Sequence, residues 1–183
     1  MYNNIIIQKQ IFAMKKQAFS FWKYNPEFVL ELSQYLKNKK VLEIFAGNGL
    51  MASYLSENGV DVTSTSLLRD YDRSGIQMHV PVIEQEALEA VLEFGSESDV
   101  LMMIWPETTP VASKAARLFF AMHKDNPSAE IIFIGEKTDY TKGWLGGCAT
   151  DDFFEDFGCV IHRFGSYQGN YIEVAEAIRP SQK

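Results

Sequence analysis

Four carboxylates stand at or just beyond the ends of short apolar runs: Glu43 in "VLEIF", Glu86 after "VPVIEQ", Glu107 after "MMIWP" and Glu136 after "IIFIG". A carboxylate left in an apolar run is costly unless it meets a cation or hydrogen-bond donors. Four of them at one edge would make an acidic mouth that attracts a positively charged or neutral ligand and repels an anion. Beside the first lies a tight turn, "FAGNG", whose Gly47 and Gly49 allow close approach of the backbone to a ligand.

The elements that must hold these groups alternate. "PEFVLELSQYLKN" (26–38) reads as a helix with Pro26 in its first turn and Phe28, Leu32, Tyr35 and Leu36 on one face. "KKVLEIF" is a buried strand, "LMASYLSEN" a helix stopped by Asn58 and Gly59, and "VDVTSTS" a second strand. "MHVPVI" is a weaker third strand before the helix "EQEALEAVLEF". "SDVLMMIW" is a fourth strand, Thr109 before Pro110 marks the next helix start, and "AEIIFIGE" is a fifth strand. After "TKGWLGG" and a short helix "TDDFFEDF", "CVIHRFGSY" and "NYIEVAEAI" read as two strands joined at Gln168 and Gly169 like a hairpin. The fold expected is α/β: a seven-stranded, mostly parallel sheet with helices on both faces and a C-terminal antiparallel hairpin. One domain, 1–183, is expected, with 1–25 as an N-terminal extension carrying a helix around 5–20 and the aromatic segment "FSFWKYN". Ligands of such sheets sit outside the carboxyl ends of the strands, where strand order reverses.

Composition narrows the partners. The chain has 24 acidic and 17 basic residues, a net charge of −7, and no basic stripe, which argues against nucleic acid. The first apolar run is too short for a signal core, and no stretch approaches the roughly 20 apolar residues of a membrane helix, so a cytoplasmic protein without a membrane partner is expected. Cys148 and Cys159 fit a reducing compartment, one buried and one exposed. His79, His123 and His162 are too dispersed for zinc spacing, no metal is expected, and His79 and His162 read as strand residues. Oligomeric state is not readable.

"GNGLMA" also fits the dinucleotide pattern G-x-G-x-x-A, but Glu43 would repel a pyrophosphate and Ser66 stands where a ribose-binding acid is wanted, so NAD is the minor reading. A cationic ligand suits Glu43 better. At this point "VLEIFAGNG" resembles the first motif of class I S-adenosylmethionine-dependent methyltransferases, in the variant where an aromatic residue, Phe45, replaces the first glycine. The match runs from about residue 26 to 178 and implies a cofactor turn of Phe45, Ala46, Gly47, Asn48 and Gly49. Gly47 and Gly49 would admit the methionine part, Glu43 would favour its ammonium through charge and bridging water, and Glu86 with Ala87 would hold the adenine. The family's acid at the end of strand two is absent, so the resemblance leaves Ser66, or Asp70 or Asp72, as its substitute.

The acceptor side carries Trp105, Pro106 and Glu107, where relatives that methylate exocyclic amines or glutamine carry Asp or Asn, two prolines and an aromatic residue. Trp105 would wall the pocket, Glu107 would orient or deprotonate the acceptor, and Trp144 would supply a lid. Each residue also has a plainer role: Glu43 a satisfied structural carboxylate, Glu86 a helix-start acid, Trp105 and "FSFWKYN" core packing. Two functions are therefore expected from different classes. One is a methyltransferase acting on a small molecule or a protein side chain; the other is an inactive methyltransferase-like fold serving as an acidic protein-binding module.

Overall fold

The computed structural model describes residues 22, 24–68 and 78–181. Asn25 starts the first described helix, α1 (Pro26–Tyr35), where its side-chain oxygen accepts the N–H of Glu27 at 2.9 Å and of Phe28 at 3.4 Å. That cap satisfies donors the helix cannot, and Pro26 presets φ in the first turn. Phe28 and Leu32, one turn apart, are fully buried, as is Leu36 just past the helix end.

Then follow β1 (Lys40–Ile44), α2 (Leu50–Glu57), β2 (Asp61–Ser66), β3 (Ile83–Glu84), α3 (Ala87–Phe94), β4 (Val100–Ile104), α4 (Val111–Met122), β5 (Glu130–Glu136), α5 (Asp151–Asp156), β6 (Cys159–Arg163) and β7 (Glu173–Arg179). The seven strands form one sheet in the order β3-β2-β1-β4-β5-β7-β6. β7 is antiparallel to both neighbours and the other pairings are parallel. Strand order reverses between β1 and β4, which places a crevice at their carboxyl ends.

Successive strand residues face opposite ways, so the sheet feeds two cores. On one face Val41, Met102 and Ile134 pack with Phe28 of α1 and Met51 and Leu55 of α2. On the other, Leu42, Leu101 and Phe133 meet Val91 of α3, Phe119 of α4 and Phe153 of α5. Helices on both faces explain why β1, β4 and β5 are apolar runs rather than alternating ones.

Three local expectations are corrected. The third strand is only Ile83–Glu84; the residues before it turn across the glycine loop, where the His79 N–H donates to the Asn48 carbonyl at 2.9 Å. His79 is thus in a bend, whereas His162 is in β6. The last two strands are joined by nine residues, 164–172, rather than by a two-residue turn. α1 holds that connection instead: the Glu31 carboxylate accepts the N–H of Gly165 at 3.2 Å and Ser166 at 3.0 Å, and the Asn25 amide donates to the Ser166 carbonyl at 2.7 Å. Thr109 does not cap α4, which begins after Pro110 with no side-chain cap.

The helix around 5–20 and Phe19, Phe21 and Lys23 lie outside the described residues. Trp22 and Tyr24 are core packing: Trp22 is buried against Phe28 and Tyr54, and Tyr24 stacks on Tyr54 with ring centroids 4.5 Å apart. Cys148 is buried and Cys159 half-buried, both as free thiols. Among the described residues no helix is long and apolar enough to cross a membrane, and no group of three or more His, Cys, Asp or Glu could hold a metal ion.

Candidate functional site

β1 carries the glycine turn to the crevice and the end of β2 braces it. The Ala46 N–H donates to the Thr65 carbonyl at 3.0 Å, and the Gly47 N–H to Ser66 Oγ at 3.2 Å. Phe45, Gly47 and Gly49 all have positive φ, at 62°, 55° and 74°. Glycine enters that region freely, whereas a bulky residue is strained there. Phe45 is held in place by packing against the core beneath α3 and α4.

The two glycines differ. A Cβ on Gly47 would meet nothing within 4 Å, whereas one on Gly49 would come within 2.6 Å of Val80 Cγ2 and 3.0 Å of Val82 Cγ2. Gly47 therefore borders open space, and the space over Gly49 is filled by the chain itself. The sequence treats these glycines as equivalent; the fold divides them into one that a ligand can approach and one that two valines cover.

Beneath the turn Glu43 is 1% exposed and accepts a hydrogen bond from the Ser64 hydroxyl at 2.9 Å. Burial pushes its pKa up to about 8, against the downward pull of that bond. Two other glutamates are as deeply buried, and both have bases. Glu130 meets Lys39 Nζ at 2.7 Å, and Glu176 meets Lys137 Nζ at 3.1 Å and Arg163 Nε at 3.0 Å. Among the described residues Glu43 has no base. A buried carboxyl in this position ionises readily only when a cation arrives.

Ser66, 8% exposed, uses its oxygen on the Gly47 N–H. Asp70 and Asp72 lie outside the described residues. Glu86 is the residue before α3, exposed and extended, and its side chain makes no capping bond, so the helix start does not consume its carboxylate. Ala87 behind it is buried.

Trp105 ends β4 with φ 50°, and its N–H donates to the Ile134 carbonyl at 2.8 Å. Its half-buried ring touches both cores, so it packs as a core residue and also stands at the crevice. Glu107 is exposed two residues on. Glu136 is not offered to the crevice in the same way: its carboxylate accepts the Gly147 N–H at 2.8 Å. A Cβ on Gly146 would come 2.6 Å from the Glu136 backbone, which explains the paired glycines there. Trp144 does not cover the glycine turn. It lies on the β5–β7 side, edge-on to Tyr171 with centroids 6.4 Å apart and with Lys142 Nζ 4.3 Å over its ring.

With this geometry in hand, comparison with solved structures is informative. The fold is that of the class I methyltransferases. A ribosomal protein L11 methylase from Lactobacillus delbrueckii subsp. bulgaricus is similar with a TM-score of 0.54 and 12% identity, over 88% of this chain and 82% of that one. Human N-acetylserotonin methyltransferase, solved in complex with S-adenosylmethionine, gives 0.51 and 11% over 85% of this chain and 52% of its own. The S-adenosylmethionine-dependent methyltransferase SibL gives 0.51 and 12%, over 84% and 54%. The chain thus spans about half the length of the last two. No protein-family model and no curated protein sequence matches it.

Sequence reasoning missed Ser64 under Glu43, the valines over Gly49, and the left-handed backbone of Phe45 and Trp105. Ser64 was readable in principle, because strand alternation puts it on the same face of β2 as Ser66. Nothing in the local pattern marked the others.

Proposed function

We propose that the chain binds S-adenosylmethionine at the glycine turn and transfers its methyl group to a small molecule or a protein side chain. The observation that carries this reading is Glu43, the one deeply buried glutamate among the described residues that lacks a base, set directly below the turn. The field of a carboxyl in a low-dielectric site favours a cation above it and disfavours the pyrophosphate of NAD. The fold supports the same choice.

In this reading Gly47 lets the methionine part lie on the backbone, Glu43 favours its ammonium through bridging water, and Glu86 accepts from the adenine amino group with Ala87 beside it. When bound, the cofactor supplies a methyl group on a sulfonium, open to in-line displacement. Trp105 walls the crevice and excludes water, and Glu107 orients the acceptor or takes its proton. Calorimetric titration with S-adenosylmethionine, S-adenosylhomocysteine and NAD tests it. Micromolar binding of the first two and none of the third is expected; binding of none, or of NAD alone, contradicts the reading.

One observation favours the second reading, an acidic binding module without catalysis: Ser66 replaces the ribose acid and spends its oxygen on Gly47. A transfer assay with labelled cofactor and candidate basic proteins separates the two readings, since the module would capture a basic partner without labelling it.

A further inference from the structure

We infer that Glu84, on β3, supplies the carboxylate for the cofactor's ribose that β2 lacks. The inference rests on the proposed cofactor reading. A ribose offers two neighbouring hydroxyl donors, and a carboxylate, with two oxygens and about four lone-pair directions, can accept both. Ser66 has a single oxygen, already accepting the Gly47 N–H at 3.2 Å, and therefore cannot match that pair alone.

The register shows where a carboxylate is available. β2 and β3 are parallel with Ser66 and Glu84 as Cα partners, so their side chains leave the same face of the sheet. One row back on that face are Ser64 and its own β1 partner Glu43, so Glu43, Ser64, Ser66 and Glu84 share one side. Adjacent strands are about 4.8 Å apart, so Glu84 stands one strand outward from the residue bonded to Gly47. The pairing is fixed beyond the strand by the Gln85 N–H, which donates to the Ser66 carbonyl at 3.2 Å. Glu84 is exposed, and Glu86, which would hold the adenine, follows two residues later. A cofactor running from Gly47 to Glu86 would pass its ribose between these points, over Ser66 and beside Glu84. The acid is displaced by one strand rather than lost.

Calorimetry with two ligands tests this: S-adenosylhomocysteine and its 2′,3′-dideoxy analogue, each against wild type and Glu84→Gln. Wild type is expected to prefer the diol by about tenfold or more, and Glu84→Gln to lose that preference while binding the dideoxy ligand as wild type does. Thermal unfolding at the wild-type temperature checks that the exposed substitution leaves the fold intact. Adding Ser66→Asp to Glu84→Gln should restore part of the diol preference. An unchanged preference in Glu84→Gln, or an equal loss of both ligands, overturns the assignment while leaving the cofactor reading standing. Failure of wild type to bind either ligand would instead overturn the cofactor reading, and this assignment with it.

Discussion

At the carboxyl ends of β1 and β2 the polar groups are buried and bonded to one another, whereas at the ends of β4 and β5 they belong to loops and face water. Glu43, Ser64, Ser66 and the amides of Ala46 and Gly47 form the first set, each with a partner across the β1–β2 pair. Glu107 and Trp144 belong to the second, with Glu136 already occupied by the Gly147 amide. The first arrangement is preorganised, as a site for one fixed ligand must be. The second is set by loop residues, which can change without disturbing the sheet and so suit the choice of acceptor. The difference teaches that the cofactor half and the acceptor half obey different constraints, and only the first is written in residues that the fold itself demands.

Substitutions can break that comparison, beginning with the largest effect. Gly49→Val places a branched side chain at φ 74° and drives it into Val80 and Val82. A loss of about 3–5 kcal/mol is expected from strain and overpacking together, seen as a large fall in the calorimetric unfolding temperature. Gly47→Ala, at φ 55° with open space around it, should lower stability by only about 1 kcal/mol yet weaken cofactor binding more than it weakens the fold. Equal effects of the two changes on stability would erase the distinction drawn between the glycines.

Trp105→Ala should come next, with a loss of about 2 kcal/mol from a half-buried ring that touches both cores, measured by urea unfolding. Glu43 adds a pH signature. Its folded pKa is up at about 8 against an ordinary 4.5, so between those values the folded chain holds a proton that the unfolded chain has released. Stability therefore falls as pH rises through that window. Glu43→Gln should flatten the fall, leaving the variant more stable than wild type at pH 9 by over roughly 1 kcal/mol, while weakening cofactor binding. Glu107→Gln should change stability least, within about 0.5 kcal/mol, and lower turnover with cofactor affinity intact. Wild-type turnover in that variant would remove Glu107 from the chemistry.

Much of the fold was legible because burial on both faces leaves uninterrupted apolar runs, as in "VLMMI" and "EIIFIG", and because Asn25–Pro26 and Asn58–Gly59 are strong local punctuation. Where local pattern failed, a longer-range contact had taken over. Residues 78–82 alternate like a strand but bind the glycine turn through His79, and the tail strands are spaced by Glu31 and Asn25 rather than by Gln168 and Gly169. The site was legible by residue type and not by arrangement. Glu43 was visible, but not that it alone among the deeply buried glutamates has no base among the described residues, since that depends on where Lys39, Lys137 and Arg163 fold. Likewise Gly47 and Gly49 look alike until Val80 and Val82 are placed in space.

The most direct test of the central claim is an amide-resolved NMR titration of the full chain with S-adenosylhomocysteine. The account predicts saturable shifts at Gly47, Ser66 and Glu86, on the open side of the turn, with smaller ones at the valine-covered Gly49. A spectrum in which Gly47 and Ser66 stay unmoved, or in which shifts gather only at residues outside the β1–β2 crevice, would contradict it.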